Sequence, residues 1–343
     1  MSAAAEPDKQ PPPQEVFFQI ILNFWMSRAL YIFTKIGVPD LLKDGPKTTN
    51  ELAAATTTHA PSLYRLLRAL ASVGVVKAGD EGKFELTPMS ELLVTDAPGS
   101  LKWFMMSELG QEHYPAWGNL MHSVKTGEIA FDNLYGMNIW EYFAKNPDDA
   151  TVFNNSMSGV TAVANETITS GYDFSGFNQL VDVGGGHGGL AMGLLKKNPN
   201  LKAVVFDAPE VISGTREKIT AAGLTDRCEA VSGDFFQSVP AGGDVYILKW
   251  IIHDWDDEKS IRILRNIRQQ MSQNSRLIIV DTVVPEGNEP HFSKFFDLNM
   301  LVMTGGKERT EAEFRQLLLS AGFKLLRVIP TDLPTSIVEA QPM

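Results

Sequence analysis

The fold of this chain can be worked out from one segment, Leu180-Val181-Asp182-Val183-Gly184-Gly185-Gly186-His187-Gly188-Gly189. A mainly apolar run ends abruptly at a stretch in which five of six residues are glycine. This pattern predicts a buried strand, a tight turn and then a helix. Glycine permits positive φ and lets a ligand lie against the main chain, so we expect the turn to grip a polar group.

Strand and helix patterns alternate from residue 173 to residue 343. Such alternation is typical of a doubly wound, Rossmann-like α/β domain, whose ligand site lies at the carboxyl ends of the early strands. The predicted strands cover residues 180–183, 203–206, 229–232, 245–248, 277–280, 325–329 and 336–340.

Three segments precede this domain. Residues 1–13 are rich in Ala, Pro and charge and are expected to form a disordered tail. Residues 14–100 begin with a helix that is apolar over much of its surface, and a helix, turn, helix and hairpin pattern then predicts a winged helix. Residues 101–172 are expected to be helices that link the two domains and line an apolar pocket, because they are rich in aromatic residues and Met.

A winged helix can serve DNA binding or dimerisation. The net charge of −11 would repel nucleic acid and anionic membranes, and the would-be recognition helix carries only Arg65 and Arg68. We therefore expect a homodimer through the N-terminal helices and no nucleic-acid partner. A ligand-sensing winged-helix regulator is the alternative.

Composition favours a cytoplasmic protein. Of 343 residues, 44% are apolar and 21% charged, as in ordinary globular proteins. The single cysteine, Cys228, excludes an intrachain disulfide, and we find no signal-peptide pattern. The longest apolar stretch, 16–38, is interrupted by polar residues that include Arg28 and Lys35, which argues against a membrane span.

The first two strand ends leave the ligand open. Gly184, Gly186 and Gly189 fit the spacing G-x-G-x-x-G, and Asp207 follows the second strand, where an acid can hold ribose hydroxyls. These features allow NAD, so a dehydrogenase is a second alternative. Asp182 interrupts a strand that should be apolar throughout and needs a buried partner, such as loop amides or a cationic ligand group.

Two further motifs follow the third and fourth strands. Gly233-Asp234-Phe235-Phe236 offers a ring and a carboxylate that suit the face and the amino group of an adenine. The segment from Leu248 to Glu258 leaves the fourth strand for a helix and carries His253.

With these motifs the chain resembles class I S-adenosylmethionine-dependent O-methyltransferases of the plant caffeate and flavonoid type and their bacterial natural-product relatives. The resemblance covers nearly the whole chain, because the N-terminal winged helix also looks like that family's dimerisation domain. The matching motifs are Val-Asp-Val-Gly-Gly-Gly-His-Gly at 181–188, Phe206-Asp207-Ala208-Pro209, Gly233-Asp234-Phe235-Phe236, Leu248-Lys249-Trp250 with His253-Asp254-Trp255, and Gly305-Gly306-Lys307-Glu308-Arg309-Thr310.

The resemblance implies S-adenosyl-L-methionine as the cofactor and S-adenosyl-L-homocysteine as its product. The glycine turn would carry the methionine end, Asp207 the ribose, and Asp234 with Phe235 the adenine, while Lys249 would help from the fourth strand. The implied cofactor-binding residues are Asp182, Gly184, Gly186, Asp207, Asp234, Phe235 and Lys249.

The resemblance also implies His253 as the catalytic base. A phenol titrates near 10, so at neutral pH it needs a base, and imidazole suits that role. Because His253 precedes a helix N-terminus, we expect the positive end of the helix to keep the ring neutral. The resemblance supplies Glu308 and Asp281 to hold the ring in one tautomer, although the plant-type family has glutamate where this chain has Asp281.

Acids after His253 could suggest a metal, but they also suit helix capping and a solvated face. No second cluster of hard ligands is apparent in the sequence, so we predict no metal. These acids are Asp254, Asp256, Asp257 and Glu258. The positions that match the family's acceptor pocket are Phe153, Met157, Trp250, Met300 and Met303.

The sequence therefore predicts a homodimeric, cytoplasmic O-methyltransferase that acts on a hydroxyl of a small aromatic or related conjugated natural product. An enzyme on the same scaffold that methylates nitrogen or carbon, or performs non-methyl chemistry, is a third alternative. The identity of the acceptor is not predicted.

Overall fold

The computed structural model describes residues 11–343, apart from the side chains at positions 160, 162 and 163. The described chain divides into two units. The first runs to Tyr114 and includes Asp148–Gly159, and the second comprises Pro115–Pro147 and Val160–Met343. The predicted tail at 1–13 lies largely outside the described residues.

The first unit contains the predicted helix, turn, helix and hairpin. Thr48 caps the helix Thr49–Thr56 by accepting a hydrogen bond from the backbone of its first turn. The helix Ala60–Ala71 follows, and the strands Val76–Ala78 and Lys83–Leu86 pair antiparallel. The other elements of this unit are the helices Pro13–Lys35, Val38–Leu42, Pro88–Glu91 and Lys102–Glu108, the 3-10 turn Asp80–Gly82 and the strand Lys47–Thr48.

The helix Pro13–Lys35 leaves most of its apolar surface uncovered. Phe17 and Trp25 are 69% and 61% exposed. By length and composition alone, this one helix of the described chain is long and apolar enough to cross a membrane, and the expectation that it does not stays a prediction. An apolar surface of this kind also marks a protein interface.

The second unit contains a seven-stranded sheet. Its strands are β1 (Gln179–Val183), β2 (Lys202–Asp207), β3 (Cys228–Ser232), β4 (Val245–Lys249), β5 (Arg276–Asp281), β6 (Phe323–Pro330) and β7 (Ser336–Pro342). Their spatial order is β3-β2-β1-β4-β5-β7-β6, with β1 to β5 parallel and β7 antiparallel to both of its neighbours. This sheet confirms the predicted Rossmann-like, doubly wound fold.

Successive residues of a strand point to opposite faces of a sheet. Leu180 and Val181 accordingly belong to two separate buried apolar clusters. Asp182 shares the face of Leu180 and is paired in register with Val205 of β2 and Ile247 of β4. A carboxyl group is thereby placed within an apolar layer.

Helices cover both faces of the sheet. Gly189–Lys197 and Pro209–Ala221 contribute to the cluster around Leu180, and Asp257–Gln270 and Glu311–Ser320 contribute to the other. Because both faces of the sheet are covered, polar groups that bind a ligand are expected at the carboxyl ends of the strands. The remaining helices are His113–Gly118, Leu120–Thr126, Ala130–Tyr135, Ile139–Lys145, Pro147–Gly171 and Phe292–Met303, and the short strands Val283–Val284 and Arg309–Thr310 pair with each other.

Candidate active site

The glycine turn follows β1 directly. Gly184 and Gly186 have φ angles of +71° and +56°, which residues with a side chain rarely adopt. A Cβ on Gly184 would also collide with the side chain of Ile251, and would lie 3.9 Å from the ring of Phe235. Glycine is therefore required here, and it lets the end of β1 meet the segments that follow β3 and β4.

Asp182 and Lys249 lie on one face of the sheet at this edge. Oδ2 of Asp182 has no hydrogen-bond partner among the described residues. Burial raises the pKa of Asp182 to about 7 against the attraction of Lys249, and burial lowers the pKa of Lys249 to about 8. The Lys249 ammonium donates to Oγ1 of Thr161 at 3.0 Å. The two groups offer an acceptor and a donor that have lost most of their hydration.

Asp207 joins the end of β2 to the glycine turn. Its Oδ2 accepts a hydrogen bond from the amide of Gly186 at 2.7 Å, and its Oδ1 accepts one from the amide of Ala208 at 2.7 Å. Burial raises its pKa although both amides oppose the rise. The main chain thus fixes this carboxylate beside the turn.

Asp234 and Phe235 occupy the end of β3. Oδ1 of Asp234 accepts from the amide of Phe236 at 2.8 Å. The ring of Phe235 packs edge-on against Phe236 and Trp255, with centroid distances of 5.0 and 6.2 Å. These contacts hold the Phe235 ring in place next to Gly184.

The chain leaves β4 through Trp250 and enters a 3-10 turn, Ile252–Asp254, which we call the His253 turn. Trp250 has a φ of +56°, an unfavourable value for a residue with a side chain, and its amide donates to the carbonyl of Val280 at 2.9 Å. The helix Asp257–Gln270 begins soon after the turn. This backbone directs His253 away from the sheet edge and towards the segment around Glu308.

His253 and Glu308 form a buried pair. Nδ1 of His253 lies 2.7 Å from Oε1 of Glu308. The amide of Glu308 donates to Oδ1 of Asp297 at 2.9 Å, which fixes the main chain of the glutamate. Because Nδ1 is engaged, Nε2 is the ring nitrogen that can face an acceptor.

Asp281 lies at the end of β5 and is fully buried. In the described part of the chain neither of its carboxylate oxygens has a hydrogen-bond partner, so the direct bond to His253 is made by Glu308. Burial raises the pKa of Asp281 to about 8, against the attraction of the His253 ring. Asp281 therefore holds a proton over much of the neutral range.

The protonation of His253 differs from the expectation. Burial disfavours the imidazolium, but the carboxylates of Asp254, Asp281 and Glu308 outweigh it and raise the pKa of His253 to about 10. The prediction of a neutral ring is wrong for the free protein, because three nearby carboxylates exceed the effect of one helix N-terminus.

The acids after His253 do not form one solvated face. Oδ1 of Asp254 lies 3.7 Å from Nε2 of His253, and burial raises the pKa of Asp254 to about 6. Asp256 caps the following helix as expected, and Asp257 and Glu258 are exposed. Within residues 11–343 no group of three or more His, Cys, Asp or Glu side chains is placed to hold a metal ion.

The predicted acceptor residues are distributed over both units. Phe153 and Met157 belong to the first unit and are half-buried. Met300 and Met303 are buried in the second unit, which also contains the half-buried Trp250. That these five side chains form one pocket stays a prediction.

Two side chains of this region were missed in the sequence. The ring centroid of Phe296 lies 5.9 Å from that of His253. Asn299 accepts a hydrogen bond at Oδ1 from Nε1 of Trp117 at 2.8 Å. Phe296 precedes Met300 by four residues, so helical spacing could have identified it.

Comparison with known proteins matches two sequence families. The O-methyltransferase dimerisation domain matches residues 18–96, and the O-methyltransferase domain matches residues 117–324. The first match includes most of the exposed helix Pro13–Lys35, and the second includes His253 and Glu308.

Three relatives align over almost their full lengths. The phenazine O-methyltransferase PhzM of Lysobacter antibioticus is 43% identical over 97% of both chains. The mitomycin biosynthesis 6-O-methyltransferase of Streptomyces lavendulae is 39% identical over 95% of this chain and 94% of its own. The 8-amino-8-demethylriboflavin N,N-dimethyltransferase of Streptomyces davaonensis is 33% identical over 94% of each.

Solved structures show the same architecture. The crystal structure of LaPhzM has a TM-score of 0.90 and 43% identity, covering 97% of this chain and 100% of the other. The structure of NcsB1 from neocarzinostatin biosynthesis, in complex with S-adenosylmethionine and 2-hydroxy-5-methyl naphthoic acid, has a TM-score of 0.82 and 32% identity, covering 92% and 96%.

Proposed function

The chain belongs to the O-methyltransferase family that carries its own dimerisation domain, and we propose that it transfers a methyl group from S-adenosyl-L-methionine to a hydroxyl of a small aromatic or related conjugated natural product. Membership makes the chain a methyltransferase and removes the dehydrogenase alternative. The oxygen specificity, the acceptor class and the base are our inferences, carried by the 2.7 Å contact between His253 and Glu308.

The residues of the glycine-turn edge fit this cofactor. Asp182 has an unpartnered carboxyl oxygen beneath the turn, which suits a cationic amino group. Asp207 is fixed where an acid can accept hydrogen bonds from ribose hydroxyls, and Asp234 with Phe235 suits the amino group and the face of an adenine. The bound cofactor supplies an electrophilic methyl group on a positively charged sulfur.

Lys249 is placed to bind a different part of the cofactor from the part that Asp182 would bind. It is the cationic side chain on the sheet face of Asp182, and its ammonium is also 4.2 Å from the ring centroid of Trp250. We infer that Lys249 holds the carboxylate of the methionine end, because a partly buried ammonium with one neutral partner can accept a further acidic ligand group.

His253 would receive the proton that the acceptor hydroxyl loses. Glu308 occupies Nδ1, so Nε2 is directed to the acceptor and the ring is kept in one orientation. The ring must first give up the proton it carries in the free protein. A positive charge nearby disfavours the imidazolium, so the sulfonium would lower the pKa of His253 towards the working range.

Asp254 and Asp281 complete the acidic surroundings of the ring. Glu308 makes the direct hydrogen bond to the ring, and Asp281 is proposed to stabilise the imidazolium by its charge once it ionises, near pH 8 and above. Asp254 lies on the Nε2 side of the ring, at 3.7 Å.

Oxygen methylation is favoured over nitrogen methylation by the presence of this base. A neutral amine attacks with its own lone pair, whereas a phenol must lose its proton. The N,N-dimethyltransferase relative at 33% identity makes nitrogen methylation the second candidate.

The acceptor site is proposed to include Trp250, Met300 and Met303 of the second unit, and Phe153 and Met157 of the first unit stay candidates from the sequence. Rings and flexible thioethers pack well against flat aromatic molecules. The NcsB1 relative was solved with a hydroxylated naphthoic acid, which supports an aromatic acceptor.

The dimerisation domain supports a homodimer. We propose that the exposed face of Pro13–Lys35 forms the interface and that the enzyme is cytoplasmic.

Methyl-labelled cofactor and a panel of phenols, hydroxynaphthoates, phenazines and aromatic amines test this function. We expect the label in the methylated acceptor, with an equal amount of unlabelled S-adenosyl-L-homocysteine released, and the new methyl group on oxygen by two-dimensional NMR. Transfer only to amines would contradict the oxygen specificity. Absence of cofactor binding would contradict the assignment of S-adenosyl-L-methionine as the cofactor.

A further inference from the structure

Arg309 is buried in the second unit, with 1% of its surface exposed. It lies on the short strand Arg309–Thr310, which pairs with Val283–Val284 just beyond β5. Burial of a guanidinium is costly unless its N–H donors are paired. The acceptors that pair with the donors of Arg309 therefore show which segments this side chain holds in place.

The guanidinium of Arg309 holds both ends of the His253 turn. Nη1 donates to the carbonyl of Ile252 at 3.1 Å, and Nη2 donates to the carbonyl of Trp255 at 3.0 Å. Nε and Nη2 donate to Oδ1 of Asp257 at 3.0 and 2.7 Å. Only arginine has a planar fork that reaches the residue before His253 and the residues after it at once.

The residues before Arg309 contact the same turn through the main chain. A Cβ on Gly306 would collide with the backbone of the His253 turn. The amide of Lys307 donates to the carbonyl of His253 at 2.8 Å. Glu308 lies within this docked segment, so the docking sets the distance between the glutamate and the ring.

We propose that Arg309 is a positioning residue for methyl transfer, which clamps Ile252 and Trp255 and thereby fixes the orientation of His253 and its bond to Glu308. This inference rests on the proposed function of His253 as the base. Arg309 acts through His253, and its effect should fall on kcat rather than on cofactor binding.

Arg309 also supplies positive charge to an acidic cluster. The groups that surround His253 are Asp254, Asp281 and Glu308. Burial raises the pKa of Asp281, and the attraction of Arg309 opposes that rise. Removal of the guanidinium should therefore increase the affinity of the whole cluster for protons.

Two substitutions of Arg309 separate the effect of its hydrogen bonds to Ile252 and Trp255 from the effect of its positive charge. Arg309→Lys keeps the charge and loses the fork, so kcat should fall by about 10- to 100-fold with an unchanged pH profile. Arg309→Gln loses both, so kcat should fall at least as far and the rise of kcat/KM should move to higher pH. Isothermal titration with S-adenosyl-L-homocysteine should give a Kd within about threefold of wild type for both variants.

Arg265 provides a matched control. It is exposed and donates to the carbonyl of Ser320 at 3.0 Å, so Arg265→Lys and Arg265→Gln should leave kcat and the pH profile unchanged. A wild-type kcat in Arg309→Lys would overturn the proposal. Loss of cofactor binding in both Arg309 variants would also overturn it, because Arg309 would then support the whole unit.

His253→Ala, assayed in parallel, distinguishes the role of His253 as the base from the role of Arg309 as a positioning residue. Full turnover by His253→Ala would contradict the proposed function itself. Loss of turnover by His253→Ala together with wild-type turnover by both Arg309 variants would contradict the positioning role alone.

Discussion

Nδ1 of His253 and Oε1 of Glu308 lie 2.7 Å apart although 55 residues separate them in the sequence. The contact joins the turn after β4 to the segment before the helix Glu311–Ser320. It leaves one ring nitrogen free, and it places a carboxylate where an imidazolium would need it.

Glu308→Gln should lower kcat by about 100-fold, because the ring loses both its charged partner and its fixed orientation. The Kd for S-adenosyl-L-homocysteine should stay within about threefold of wild type. Steady-state kinetics and calorimetry provide these values. Glu311→Gln is the control, since that glutamate is exposed and pairs with Arg315 on its own helix. Equal losses in both variants would show that the effect is not specific to His253.

The pH dependence of kcat/KM should reflect the raised pKa of His253. The ring can accept a proton only when it is neutral, and its pKa in the free protein is about 10. With cofactor present, kcat/KM for a phenol should therefore still be rising between about pH 7 and 9. In Glu308→Gln the rise should move to lower pH, because a carboxylate that favoured the imidazolium is gone. A wild-type plateau that begins near pH 7 would contradict the carboxylate cluster.

Asp281→Asn should stabilise the protein at alkaline pH. The folded-state pKa of Asp281, about 8, exceeds the ordinary carboxyl value, so the wild-type contribution to stability is greatest below about pH 4 and is lost as pH rises to about 8. At pH 8.5 the free energy of unfolding of the variant should exceed that of wild type by about 1–3 kcal/mol, and near pH 4 the two should agree. Denaturant titrations at both values test this, with the exposed Asp226→Asn as the control. A difference that does not depend on pH would contradict the buried, protonated carboxyl.

Asp207→Asn should weaken cofactor binding by about 10- to 100-fold, because a charged acceptor for two hydroxyls is lost. The kcat at saturating cofactor should change little, since Asp207 lies away from the reacting atoms in this proposal. Calorimetry with S-adenosyl-L-homocysteine measures the first effect. An unchanged Kd would remove Asp207 from the cofactor site.

The fold and the cofactor edge were predictable from sequence for a physical reason. The central strands are buried on both faces, so they appear as apolar runs, and parallel strands bring their carboxyl ends to one edge. Asp207 and Asp234 could therefore be placed together although their contacts were unknown. Gly184 was recognisable in the sequence because a glycine-rich stretch follows the apolar strand directly. In the folded chain its turn leaves no room for a Cβ beside Ile251.

The electrostatics of the base could not be predicted in the same way. How many carboxylates face His253 depends on packing between distant segments, whereas the helix N-terminus could be inferred from the local sequence. Asp254 was assigned to a solvated face, but the 3-10 turn directs it towards the ring. Arg309 was recognisable as part of a motif, whereas its clamp on Ile252 and Trp255 exists only in the folded chain.

The most direct test of His253 as the base compares two acceptors in the His253→Ala variant. One is a phenol that is protonated at the assay pH, and the other is an analogue of the same shape whose hydroxyl is already ionised. Because only the first needs a base, its single-turnover rate should fall by about 10²- to 10⁴-fold, while the rate for the ionised analogue should fall far less. Equal losses for both acceptors, with cofactor binding intact, would contradict general-base catalysis by His253.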